Sequence, residues 1–96
     1  MEIHVIRKEK NLLEFELPSE DHTFCNLLVN MLNKHPNVKF ASYRIEHPLI
    51  RIPRVYVETD SNKNPEEVLI EISEKIVKIY DDIKKKFIAA LNERKR

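Results

Sequence analysis

The chain has 96 residues, 17 of them basic and 16 acidic, with a formal net charge of +1 and 42% apolar residues. That is enough for one domain with one core, and the balanced charge argues against a general binder of nucleic acid or anionic membranes, which would show a large basic excess. There is no glycine at all; phosphate-cradling loops of the GxxxxGK[ST] or GxGxxG type and the G-x-S-x-G nucleophile elbow all need it, so those chemistries are excluded.

In chain order, Ile3 and Val5 alternate with polar residues over Met1–Lys8, the pattern of a strand. Lys10-Asn11 can turn, since Asn tolerates positive φ where Gly would usually sit. Leu13, Phe15 and Leu17 alternate with Glu14 and Glu16, which predicts the hairpin partner of the first strand. Pro18 to Asp21 stops it. From about Thr23 to Lys34, Phe24, Leu27, Leu28, Met31 and Leu32 follow the spacing of one helical face, with Asp21 or Thr23 as cap and Pro36 beyond the end. Val38 to Tyr43 predicts a third strand, His47-Pro48-Leu49 a break, and Ile52 to Asp60 a fourth strand. Asn64 as N-cap, Pro65 at the first helical position and Glu67 three residues after the cap then open a second helix. Its acid-first i, i+4 pairs, Glu71/Lys75, Glu74/Lys78, Asp81/Lys85 and Asp82/Lys86, carry it to about Asn92, with residues 93–96 fraying. The order β-β-α-β-β-α is an α+β single domain. It predicts a four-stranded, mainly antiparallel sheet covered by a short helix and a long C-terminal one.

That last helix is longer than its domain. Roughly 28 residues at about 1.5 Å each give about 42 Å, whereas a compact chain of this length has a radius of gyration of roughly 12–13 Å. One or two turns must overhang the core, and they still carry Phe87, Ile88 and Leu91. Val68, Leu69, Ile72, Ile76, Ile79, Ile83 and Phe87 form one stripe wide enough to cover a sheet. Ile70, Val77 and Ile88 fall about 100° further round, with Tyr80 and Leu91 between, so the apolar arc approaches about 200°. Cys25 and Val29 widen the first helix in the same way. The two helices could cover each other's second faces, but the excess length favours a partner.

The residues offer little else. His4, His22, His35 and His47 are scattered without ligand spacing, and a single cysteine, Cys25, permits neither a disulfide nor a cysteine-pair zinc site, so neither metal nor cofactor is expected. Cys25 sits among apolar neighbours as a small packing residue. Lys84-Lys85-Lys86 spread around a helix rather than forming a one-sided patch. Phe15, Tyr43 and Tyr56 lie on strands, as stacking aromatics do in RNA-binding sheets, but without a basic glycine-rich pattern beside them. The first residues alternate instead of forming an apolar run, and no stretch approaches membrane-spanning length, so a signal peptide and a membrane span are not expected and an intracellular location is.

The segment Glu20-Asp21-His22-Thr23-Phe24-Cys25-Asn26-Leu27-Leu28 resembles the signature of the small alpha-like subunits of multisubunit RNA polymerases, Glu-Asp-His-Thr-Leu-Gly-Asn-Leu. Asp21, His22, Thr23, Asn26 and Leu27 match it; Phe24 replaces Leu, and Cys25 replaces Gly. Ala41-Ser42-Tyr43 with His47-Pro48-Leu49, and Val55 to Asp60 leading into Pro65-Glu66-Glu67, are similar to two further stretches of that family, and the short length is nearest its archaeal branch. The resemblance implies a non-catalytic assembly subunit in the cytoplasm that pairs through both helices with the larger alpha-like subunit, called D in archaea. That pair would be the platform for the two largest subunits, which perform nucleotidyl transfer. It implies no cofactor, no membrane and no sequence-specific DNA contact. The expected partner interface is Phe24, Leu27, Leu28 and Met31 of the first helix with Val77, Tyr80, Phe87 and Ile88 of the last. The competing expectation is a free-standing nucleic-acid-binding module using Tyr43, Tyr56 and the lysines.

Overall fold

The alternating segments pair as the pattern requires. In the computed structural model, which describes residues 2–18, 22–45 and 51–94, β1 (His4–Glu9) and β2 (Leu12–Glu16) form an antiparallel hairpin. Helix α1 (His22–Lys34) follows, then β3 (Val38–Ile45), β4 (Pro53–Thr59) and α2 (Pro65–Arg94). The sheet order is β1-β2-β4-β3, antiparallel at every pairing. The expected α+β architecture is therefore the observed one. The expected cap Asp21 and the break His47-Pro48-Leu49 lie outside the described residues.

Boundaries move by one or two residues. Helix α1 begins at His22, one residue before Thr23; β3 runs on to Ile45, and α2 passes Asn92 to reach Arg94. Strand β4 begins at Pro53 rather than Ile52, a position where the missing N–H of proline costs the ladder nothing. The turn between β1 and β2 closes without a left-handed residue, since among the described residues positive φ occurs only at Arg51. Asn11 works through its side chain instead. Its Nδ2 donates to the Asp60 carbonyl and to Thr59 Oγ1, and its carbonyl accepts the Thr59 N–H at 2.8 Å, tying the hairpin tip to the end of β4.

Both helices lie on one face of the sheet, α1 over β3 and β4, α2 against β2, β4 and α1. The core between them comprises Leu13, Phe15 and Leu17 of the second strand and its exit, Cys25, Leu28 and Leu32 of α1, Ala41, Val55 and Val57 of the sheet, and only Val68 and Ile72 from α2. The N-terminus of α2 is held as its sequence predicts: Asn64 Oδ1 accepts the Glu67 N–H at 2.9 Å, and Pro65 is buried at the first helical position. One expected pair gives way to a longer-range one. Glu71 turns from Lys75 to Lys63 and to His35 Nε2 at 2.7 Å. His35 Nδ1 meanwhile accepts the Asn37 N–H at 3.1 Å, so the other ring nitrogen carries the proton that is donated to Glu71. The end of α1, the loop before α2 and α2 itself are pinned at this point.

Candidate partner-docking surface

Helix α2 leaves the sheet after Ile76. Every residue from Val77 to Glu93 is exposed, and the Cα radius of gyration of 16.4 Å, with a longest extent of 56 Å, exceeds the roughly 12–13 Å of a compact chain this size. The overhang anticipated from sequence is thus present, and it is longer than one or two turns. Of the expected i, i+4 pairs, Asp81 and Lys85 close at 3.0 Å along it.

The bare stretch is not polar. Val77, Ile79, Tyr80, Ile83, Phe87, Ile88 and Leu91 each expose about half of their surface or more. Ile79 and Ile83 correct the reading that places them in the sheet-covering stripe: their angle on the helix is right, but the helix has already passed the sheet edge. Where α2 departs from α1, Leu27, Met31, Ile76, Ile79, Tyr80 and Ile83 line an apolar groove of about 240 Å³.

The expected interface residues divide according to this geometry. Val77, Tyr80, Phe87 and Ile88 stand on the exposed helix, and Leu27 is 45% exposed beside the groove. Phe24 and Met31 are half-buried, packed against the core margin. Leu28 is 6% exposed and belongs to this chain's own core. Of the signature residues, His22, Thr23 and Asn26 are exposed, and His22 Nδ1 lies 2.9 Å from the Tyr43 hydroxyl with the two rings edge-on, fixing the start of α1 to β3. Cys25 is fully buried. Ile79 and Ile83 join the surface without having been expected there, because helical periodicity gives the angle of a side chain and not the point along the axis where the sheet ends.

The outer face of the sheet has a different character. Phe40 packs on Tyr56 with ring centroids 6.0 Å apart, and the Tyr56 hydroxyl donates to Glu58 at 3.0 Å, which is the main cause holding that phenol above its ordinary range. Arg54 reaches Glu14 and Glu16 across the same face. Around Tyr56, Glu14 and Glu58 are interspersed with Arg44 and Arg54, a mixed face and not the one-signed basic groove that tracks a phosphate backbone. Among the described residues no group of three or more His, Cys, Asp or Glu could hold a metal ion, and no helix is long and apolar enough to cross a membrane.

What this geometry defines is an α+β domain whose long last helix carries apolar side chains past its own sheet. Residues 12–86 match the family model described as the RNA polymerase Rpb3/Rpb11 dimerisation domain. The chain is 56% identical over 78 residues to DNA-directed RNA polymerase subunit Rpo11 of Pyrococcus furiosus, covering 79% of this chain and 82% of that one. It is 43% identical over 89 residues to the Rpo11 of Sulfolobus acidocaldarius, covering 88% and 99%. The crystal structure of DNA-directed RNA polymerase subunit L from Thermoplasma acidophilum superposes with a TM-score of 0.79 at 34% identity, over 90% of this chain and 84% of that one. The chain belongs to the archaeal family of DNA-directed RNA polymerase subunit L, or Rpo11.

Proposed function

We propose that this chain is a non-catalytic assembly subunit of an archaeal DNA-dependent RNA polymerase. It pairs with the larger alpha-like subunit, called D in archaea, and the pair is the cytoplasmic platform on which the two largest subunits assemble. The observation that carries this reading is the run of exposed apolar residues from Val77 to Leu91 on a helix that has left its own domain. Water is a poor environment for such a surface, and contiguous exposed apolar patches mark places where another protein sits. A domain whose family is described by dimerisation supports the same reading.

Nucleotidyl transfer then belongs to other subunits. The reading assigns no catalytic role to any side chain here, consistent with the buried state of Cys25 and the capping and pairing roles of Asn64 and Glu71. The test is co-expression of the full chain with its larger alpha-like partner, followed by size-exclusion chromatography with light scattering. A 1:1 complex is expected. A wild-type chain that stays a well-behaved monomer beside that partner would sink the proposal, and steeply salt-dependent binding to RNA or DNA would support the free-standing module in its place.

A further inference from the structure

A second apolar groove, of about 270 Å³, lies between β1 and the first three turns of α2. Ile3 and Val5 form one wall, Leu69 and Ile70 the other, and Phe24 closes the end. Ile3, Val5 and Ile70 are each more than half exposed although all three face the helix-bearing side of the molecule. Ser73 adds no polarity, because its hydroxyl donates back to the Leu69 carbonyl at 2.8 Å. One group is out of keeping. Glu66 lines both this groove and the neighbouring polar pocket of Lys8, Lys10 and Lys63, and its Oε1 atom is shielded from solvent with no hydrogen-bond partner among the described residues. A shielded carboxylate oxygen without a donor is a costly arrangement that a neighbouring molecule can relieve.

We propose that this groove continues the docking surface onto β1, and that it receives an apolar segment of the larger alpha-like partner bringing one hydrogen-bond donor to Glu66 Oε1. The inference rests on the pairing proposed above. Three observations favour that occupant. The two grooves share Ile76, so a molecule seated on the first reaches the second without crossing polar surface. Glu66, Leu69, Ile70, Ser73 and Ile76 lie along one face of α2, a strip about 15 Å long, which suits a helix or an extended segment rather than a small ligand. A stable interface of standard size engages roughly 20–30 residues a side, and the apolar residues of the first groove and the overhanging turns number ten. Ile3 and Val5 precede residue 12, where the family match begins, so this wall is a contribution outside the matched dimerisation domain.

The experiment compares pairing of the full chain with the larger alpha-like partner by calorimetric titration and light scattering, alongside thermal melts of each variant alone. Val5→Lys and Ile70→Lys replace exposed side chains, so their melting temperatures should match the wild type while affinity falls at least tenfold. Arg7→Gln, on the other face of β1, should pair normally, and Glu66→Leu, which removes the acceptor, should pair at least tenfold more weakly. If both lysine variants pair like the wild type while Tyr80→Lys does not, the second groove is not part of the interface and this inference falls, the proposed function standing. If the wild type fails to pair with the larger subunit at all, the functional reading itself falls. If Val5→Lys instead breaks a self-dimer that the larger subunit cannot displace, the occupant is a second copy of this chain and the inference is overturned.

Discussion

The side-chain amide of Asn33 pairs with the backbone of Ala41 on both sides, Nδ2 donating to the Ala41 carbonyl and Oδ1 accepting its N–H, each at 3.0 Å. Strand β3 is an edge of the sheet, so these two backbone groups would otherwise face outward unpaired, as a template for a foreign strand. Asn33 stands in for one residue of a fifth strand. Replacing it by Leu should cost about 1–2 kcal/mol, the net worth of two hydrogen bonds, read as a lower urea midpoint. The variant should also aggregate faster at high concentration, measured by static light scattering.

Substitutions in the two helices should separate folding from pairing. Leu28→Glu puts a carboxylate into this chain's own core beside Cys25 and Leu32. Uncompensated charge burial there costs several kcal/mol, so the protein should lose its cooperative thermal transition in circular dichroism. Tyr80→Glu and Phe87→Glu change side chains exposed by 70% and 65%. They should melt as the wild type does and fail to form the complex with the larger alpha-like subunit.

Stability should also follow the ionisation of Glu71. Lys63 first, and His35 second, hold its carboxyl below the ordinary glutamate value of 4.5. The folded state therefore favours the charged form; its stabilisation is complete above the unfolded value and disappears as pH falls through the lower folded one. Thermal melts of wild type and Glu71→Gln between pH 8 and pH 3 should differ most above about pH 5 and converge at the acid end. A difference that grows on acidification would contradict the assignment.

Cys25 should be chemically silent in the native state. It is fully buried in α1 and part of the core cluster, and a shielded thiol reacts only when the fold opens. Ellman's reagent should titrate it in denaturant and leave it untouched in buffer. Cys25→Ala, a small change of volume, should cost about 1 kcal/mol or less and leave pairing with the larger subunit unaltered.

Much of this fold is legible in the residue pattern, and what is not shares one physical origin. Alternation of Leu13, Phe15 and Leu17, the cap at Asn64 and the overlong last helix are local properties, and the observed strands and helices follow them. Periodicity gives the direction of a side chain around its helix; it says nothing about where along the axis the sheet stops. That is why Ile79 and Ile83, in line with Ile72 and Ile76, read as sheet-covering residues and yet stand clear of the sheet. Leu27 and Leu28 are neighbours on one stripe, and only the placement of the sheet and α2 around α1 makes Leu28 core and Leu27 surface. The Asn33–Ala41 and His35–Glu71 bonds join residues brought together by the fold, and neither has a sequence signal. The second groove is half visible in the sequence, as the extra apolar arc through Ile70; its other wall depends on β1 lying beside α2.

The overhanging turns of α2 also make the chain a reporter of its own assembly. Beyond Val77 the backbone amides are protected only by bonds within a single exposed helix, and a lone helical segment of that length is marginal in water. Deuterium uptake there should be complete while the amides facing Val68 and Ile72 are still protected, because local opening of the distal turns need not unfold the rest. Seating a partner on the same turns would merge the two rates. The exchange profile of this one helix, read residue by residue along its length, then measures what fraction of the protein in a sample is unpaired.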